Sequence, residues 1–492
     1  MKKKVLFITI CIVLFFEQTH AQNDNSKLNS SPAKPNLIVI MADDLGYADV
    51  GFNGSKDIPT PHIDRIAENG VKFTNGYTSY SVCGPSRAGF ITGRYGQRFG
   101  FERNPQYKTD DPNMGLPQDE KTIAAYLKTV GYTSGIIGKW HLGANISNHP
   151  LNRGFDEFYG HLGGGHTYFP ENLVIEDSYF TGDEVMIPSE DNPKKMYKGS
   201  AEMASYRTWI MRNHQAVKTE KYLTDEFSDE AVHFIERNKD EPFFLFLSYN
   251  APHGPLQASQ KYLDRFSHIE NQKRKTYAAM VSAVDDGVGK VLDKLASLKL
   301  EENTIVVFLS DNGGPESKNA SNNGVLREGK GSIYEGGFRV PFAIQWKGTL
   351  HKSTYDYPIS SLDILGTIAD LSEVKLDANK PLDGVNLIPF IQDIQKGAPH
   401  QNIFIRKFDS KVYSVRDGDL KLVVKKKSNV KELYNLKNDL SEQDNIAEKN
   451  QKDVKRLSAI LDTWETELVD PLFLGLIHTK SWQNKMAKKK NN

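Results

Sequence analysis

Short runs of consecutive apolar and β-branched residues break off abruptly into polar clusters, with stretches of helical periodicity between them. Residues 36–41 (Asn-Leu-Ile-Val-Ile-Met) lead into Asp43 and Asp44, and residues 132–138 into Lys139 and His141. Residues 242–247 lead to His253, and residues 304–309 to Asp311 and Asn312. A strand that is apolar at every position, rather than at alternate ones, is buried on both faces, as in a parallel sheet covered by helices. The intervening segments 59–69, 121–130, 225–238 and 275–298 carry helical patterning. Strands alternating with helices predict an α/β fold with a mostly parallel central sheet flanked by helices. Sites in such sheets form at the carboxyl ends of the strands. Seven polar residues that follow four strand ends are therefore expected to converge on one site.

The texture changes along the chain. Residues 160–220 lack clear periodicity and carry Gly163-Gly164-Gly165, His166, Tyr168 and Trp209; long irregular insertions are often functional. From about residue 401, short alternating strands at 403–406, 412–415 and 420–424 precede a helix at 452–468. This pattern predicts a catalytic domain over 36–390 and a smaller C-terminal α+β subdomain over 391–492 with an antiparallel sheet.

The first residues fix the expected compartment. Lys2, Lys3 and Lys4 precede an apolar run from Val5 to Phe16, and Thr19-His20-Ala21 supplies small residues at cleavage spacing. Residues 1–21 read as a signal peptide, followed by a linker over 22–35. The alternative is a membrane anchor, but the run is about half of the roughly 20 residues needed to span a bilayer. The chain is thus expected in the periplasm or outside the cell, without stable membrane insertion. Lys plus Arg and Asp plus Glu balance at 62 each, which gives no electrostatic footprint for nucleic acid. Of the two cysteines, Cys11 leaves with the leader and Cys83 remains. A lone cysteine in an oxidising compartment is either an inert buried thiol or a residue with a task.

Its surroundings bear on that choice. Cys83-Gly84-Pro85-Ser86-Arg87, continuing to Thr92-Gly93-Arg94, resembles the signature of type I, formylglycine-dependent sulfatases, within the alkaline phosphatase-like superfamily. Phe90 stands where Leu is commoner. The resemblance, closest in texture to bacterial polysaccharide sulfatases, extends over nearly the whole mature chain. It includes Asp43-Asp44-Leu45-Gly46, Gly138 to Gly143, Ala251-Pro252-His253, Ser310 to Gly314, and Gly329-Lys330-Gly331.

The resemblance implies that a formylglycine-generating enzyme oxidises Cys83 to an aldehyde. It also implies one metal site of Asp43, Asp44, residue 83, Asp311 and Asn312. An oxygen-only donor set suits a hard cation, so calcium is expected rather than zinc. By analogy with the family, the hydrated residue 83 attacks sulfur, Asp311 accepts its proton, and His253 protonates the leaving alcohol. His141 assists sulfate release, Lys139 and Lys330 clamp sulfate oxygens, and Arg87 orients residue 83. His166, Tyr168 and Trp209 are expected to contact sugar, and Arg98 and Arg103 to pair with a carboxylate or second sulfate. The implied substrate is a sulfated carbohydrate of ulvan, carrageenan or glycosaminoglycan type. The competing readings are a phosphodiesterase or phosphonate monoester hydrolase on the same fold, and a carbohydrate-binding protein whose cysteine is never oxidised.

Overall fold

Strand β1 (Asn36–Ala42) lies within a ten-stranded sheet and is buried along its whole length. Leu37, Val39 and Met41 enter one apolar cluster, and Ile38, Ile40 and Ala42 enter another. Both faces of the strand are therefore core, which is why its sequence is continuously apolar. The computed structural model describes residues 34–170 and 209–478, together with the strands Met186–Pro188 and Met196–Lys198. The expected signal peptide and all but the last two residues of the expected linker lie outside the described residues.

The sheet continues in chain order with β2 (Gly70–Phe73), β3 (Thr133–Lys139), β4 (Glu157–His161), β5 (Ile210–Arg212) and β6 (Gln215–Val217). Then come β7 (Phe243–Ser248), β8 (Thr304–Ser310), β9 (Phe342–Gln345) and β10 (Ser353–Tyr355). Their spatial order is β10-β2-β9-β8-β1-β7-β3-β4-β5-β6. The middle five, β8-β1-β7-β3-β4, are all parallel, and β9 and β5 join them antiparallel on either side. The four strands that precede the predicted site residues are adjacent, so their carboxyl ends form one row.

Helices α1 (Pro61–Glu68), α4 (Leu223–Arg237) and α5 (Gln272–Ser297) cover the Ile38 face. Helices α2 (Cys83–Thr92), α3 (Ile123–Lys128) and α6 (Asp363–Leu371) cover the Leu37 face. Residues 83–92 are buried all round, so α2 is a central helix rather than an amphipathic one.

A separate four-stranded antiparallel sheet follows: β11 (Asn402–Lys407), β12 (Val412–Asp417), β13 (Leu420–Lys425) and β14 (Val430–Asn435). Tyr413, Val415 and Leu422 pack on Val454, Leu457, Leu461 and Trp464 of helix α7 (Gln451–Glu465). Ile403, Ile405 and Val423 pack on Tyr77, Tyr334 and Phe338 of the larger body. The edge strand β14 does not stand out in the sequence because it opens on exposed Val430 and Lys431; charged edges are common. No helix among the described residues is long and apolar enough to cross a membrane.

Candidate active site

Cys83 is the first residue of α2, which places its thiol at the carboxyl ends of the central strands. Lys330 Nζ lies 3.0 Å from Cys83 Sγ and 2.6 Å from Asp44 Oδ1. Cys83 Sγ lies 3.5 Å from Asp43 Oδ1, and Lys139 Nζ donates to Asp43 Oδ2 at 2.6 Å. The lysines thus neutralise a carboxylate pair that burial would otherwise make costly. Burial favours a protonated Asp44, but Lys330 and His253 outweigh it and hold its carboxyl well below the usual range. Burial pushes the Cys83 thiol up to about 12 against Lys139 and Lys330; a thiol so held is not a thiolate nucleophile.

Asp44 and His141, both at the site, adopt the left-handed backbone region that disfavours side chains, at φ 67° and φ 62°. Strain of this kind persists where the surroundings enforce it. At Asp44 the turn lets successive carboxylates share one site, with Asp43 N bonded to Ala251 O and Asp44 N to Asp311 Oδ1. Both His141 nitrogens are buried without a hydrogen-bond partner among the described residues. Burial, then Lys139 and Arg87, hold His141 well below its usual pKa. His253 Nε2 lies 3.6 Å from Asp44 Oδ2. Burial lowers His253 to about 4, although Asp44 opposes the shift. The side chains of His253 and Lys330 are 15 % and 16 % exposed, whereas Asp43, Lys139 and Asp311 are fully buried. The opening of the site is on the His253–Lys330 side.

Asp43, Asp44, Cys83 and His253 form a group able to hold a metal ion, with one ligand atom from each within 4.8 Å of the others. Asn312 donates to Asp44 Oδ1 at 2.7 Å, while its Oδ1 is buried without a partner among the described residues. Carboxylates and an unpaired amide oxygen are the donors a hard cation takes, so the residues fit such an ion. The geometry adds His253 to the oxygen donors that the sequence suggested.

Arg87, expected to orient residue 83, is tied to Asp311, Lys139 and Ser248, while its Nη2 is buried with no hydrogen-bond partner among the described residues. It donates from Nε to Asp311 Oδ2 at 2.9 Å, and from its guanidinium to Lys139 O and Ser248 Oγ. Burial and Asp43 push Asp311 up to about 6, against Arg87 and Lys139. Ser248, missed from the sequence, also donates to Lys139 O at 2.6 Å; it ends β7, and the strand-end rule points to it.

The expected sugar contacts are not brought together. Tyr168 is fully buried, its hydroxyl 2.7 Å from both Asn250 O and His253 O, so it braces the His253 loop and presents no ring to solvent. His166 is also buried, its ring 4.9 Å from that of His161. Trp209 is half-buried against the Leu37-face cluster. The arginines do grip carboxylates bidentately, but the chain's own: Arg98 takes Asp383, and Arg103 takes Asp409 together with Phe473 O. Residues 171–185, 189–195 and 199–208 of the predicted insertion lie outside the described residues.

A parallel sheet whose strand ends present carboxylates and ammonium groups to a helix N-terminus is the arrangement of alkaline phosphatase-like hydrolases. The Sulfatase family matches residues 35–374, and the N-sulphoglucosamine sulphohydrolase C-terminal family matches residues 329–466. The chain belongs to the sulfatase family, and it is a sulfuric ester hydrolase. It is 30% identical to an uncharacterised sulfatase, YdeN, of Escherichia coli K12, over 88% of this chain and 85% of that one. It is 31% identical to human steryl-sulfatase, over 76% and 72%. Among solved structures, that of Ps i-CgsB in complex with k-i-k-neocarrahexaose superposes with a TM-score of 0.81 at 38% identity, covering 93% and 98%. A Bacteroides thetaiotaomicron sulfatase, from work on metabolism of multiple glycosaminoglycans, gives 0.70 at 25%, covering 88% and 99%.

Proposed function

We propose that the protein is an exported enzyme that removes sulfate from a polysaccharide or its oligosaccharides, with formylglycine formed from Cys83 and one calcium ion. The carrying observation is Cys83 itself, at the head of a buried helix with Lys330 Nζ 3.0 Å from its sulfur and Asp43 Oδ1 at 3.5 Å. The neocarrahexaose complexed with the 38%-identical Ps i-CgsB favours a galactan sulfate of carrageenan type; ulvan and glycosaminoglycans are the other classes to test.

Once formed, the hydrated aldehyde would supply one hydroxyl to attack sulfur and another whose deprotonation releases sulfate, and calcium would supply charge opposite the sulfate oxygens. The chain's own groups account for the rest. Lys139 and Lys330 direct ammonium groups at the same centre, where point charges suit a sulfate. Asp311, its carboxyl raised and its orientation set by Arg87, is suited to accept a proton. His253, at the open side, is placed for the leaving oxygen, and a bound sulfate's negative charge favours the imidazolium needed to protonate it. His141 is the second base, kept neutral by burial and by Lys139.

Mass spectrometry of the peptide containing residue 83, from protein made with a formylglycine-generating enzyme, decides the nucleophile: formylglycine is about 18 Da lighter than cysteine. An unmodified cysteine in fully active protein would overturn the reading. Release of sulfate from defined carrageenan, ulvan and glycosaminoglycan oligosaccharides decides the substrate class.

A further inference from the structure

Lys330 reaches the site from a segment without helix or strand. Residues 320–334 are turns and irregular backbone, yet the Lys330 ammonium is held at 2.6 Å from Asp44 Oδ1. The larger body holds the first part of this segment through Asn322, bonded to Ala48 N and Asp49 Oδ2, and through Asn323, bonded to Gly314. It holds the stretch around Lys330 by Gly331 N to Ser81 O at 2.7 Å and Lys330 N to Gly314 O at 3.3 Å. The two ends of the stretch 327–335, which carries Lys330, are gripped by the C-terminal sheet and the loop that follows it. At one end, Arg327 donates to Tyr434 Oη and to Glu442 O at 2.7 Å. At the other, Glu442 Oε2 accepts the backbone N–H of Glu335 at 2.7 Å. Between Glu335 and Glu442 stands Lys421 of β13, 2.9 Å from Glu335 Oε1 and 2.8 Å from Glu442 Oε1.

All three of these side chains are fully buried. Arg339 Nη1 also lies 3.3 Å from Glu335 Oε2, whereas Glu442 pairs with Lys421 alone among the described residues. Two buried carboxylates cannot stay close as anions without a cation between them. Without Lys421 the Glu442 carboxylate lacks its counter-charge, and the Glu335 N–H bond that closes the segment is put at risk.

We propose that Lys421 is a positioning residue for the sulfatase reaction: through Glu335 and Glu442 it fixes the segment 327–335 and thereby sets Lys330 against Asp44 and residue 83. The small C-terminal sheet is then part of the catalytic machinery's frame. The inference rests on Lys330 being a sulfate-binding residue, which the single variant Lys330→Met tests separately.

The test is a double-mutant cycle on the full-length, converted enzyme, reading kcat/KM on a small aryl sulfate, with folding checked by circular dichroism and by a Tm above the assay temperature. Lys421→Met should lower kcat/KM by about tenfold or more in the native background, and by less than about twofold in the Lys330→Met background, because residues acting as one unit are not additive. Adding Glu442→Gln to Lys421→Met removes the stranded charge and should restore most of the loss. A merely structural role predicts equal losses in both backgrounds, and that result overturns the proposal, as does an unchanged kcat/KM in folded Lys421→Met. If Lys421→Met does not fold, Arg327→Met takes its place in the same cycle with the same two outcomes, because it removes the grip at the other end of the segment. An unchanged kcat/KM in Lys330→Met alone would instead defeat the reading of Lys330, and the proposal with it, for a reason the cycle identifies.

Discussion

Arg87 Nε donates to Asp311 Oδ2 at 2.9 Å, and neither side chain is more than 1 % exposed. The pair joins the second turn of α2 to the end of β8, and the remaining guanidinium bonds tie in Lys139 O and Ser248 Oγ. One planar cation with several fixed donors does this; an ammonium cannot. Arg87→Lys should therefore keep the charge but lose the bridging, lowering kcat/KM by roughly 100-fold, the worth of about 2.7 kcal/mol. Steady-state kinetics beside a thermal melt separate this from unfolding. A fall of less than a few-fold would mean that charge alone suffices.

Cys83→Ala should fold with little change, since a small residue remains at a buried helix start, yet lose turnover to background. Cys83→Ser should be nearly as inactive, because a simple hydroxyl lacks the second oxygen that expels sulfate. Substantial turnover by Cys83→Ala would sink the covalent route.

The proposed calcium ion is tested by removing it. Chelation with EDTA should lower both activity and Tm, because a ligand bound only by the folded state stabilises it. Calcium should restore both better than zinc does, given the Asp43 and Asp44 carboxylates and an Asn312 Oδ1 that has no hydrogen-bond partner among the described residues. The thermal shift tests binding independently of turnover. Restoration by zinc alone would argue for a different class of site.

The sequence exposes some of this architecture and hides the rest for physical reasons. β1, β3, β7 and β8 are legible because burial of both faces leaves a continuous apolar run. Asp43, Asp44, Lys139, His141, His253, Asp311 and Asn312 stand out because they follow those strand ends, whereas Cys83 and Lys330 stand out by motif alone. Arg98 and Arg103 read as grips for a carboxylate or second sulfate, and Tyr168 as a sugar contact, because the groups they meet in the fold are remote in sequence. Asp383, Asp409 and His253 lie 285, 306 and 85 residues away, and nothing local marks an arginine as already paired. Ser248 escapes notice because a serine that ends an apolar strand looks like a boundary. β14 escapes because it opens on two exposed residues, whereas β12 and β13 are buried through their middle four positions.

Asp285 carries a pH dependence of stability. Its Oδ1 accepts the N–H groups of His62 and Ile63 at 3.0 and 2.8 Å, capping α1 from helix α5. Burial raises its pKa to about 7, in spite of those two bonds. A carboxyl raised in the folded state adds stability that is fully present below its unfolded value and is lost as pH rises through the folded one. Wild-type stability should therefore fall between about pH 4 and pH 7 from this group. Asp285→Asn keeps the acceptor without the charge and should flatten that slope, adding on the order of 2 kcal/mol at pH 7. Denaturant melts at pH 5 and pH 7 measure the difference; identical slopes for the two proteins would show that Asp285 is not its source.

His253 should matter in proportion to how poor the leaving group is. A sugar alkoxide needs a proton as the S–O bond breaks, whereas 4-nitrophenolate leaves largely unaided, so loss of a general acid is felt mainly by the first. His253→Ala should cut turnover of a sulfated oligosaccharide by about 100-fold or more, and that of 4-nitrophenyl sulfate by about tenfold or less. Tyr168 supplies the control. Its hydroxyl lies 2.7 Å from the carbonyls of Asn250 and His253, so Tyr168→Phe frees the loop without touching the imidazole. It should reproduce the same ordering of substrates in weaker form, since a misplaced acid is a partial loss of the acid. A residue stacked on sugar would instead raise KM for the oligosaccharide and leave kcat on the aryl sulfate unchanged. Equal losses on both substrates for His253→Ala would remove it from the leaving-group side of the reaction and assign its 3.6 Å approach to Asp44 a role in holding the metal group.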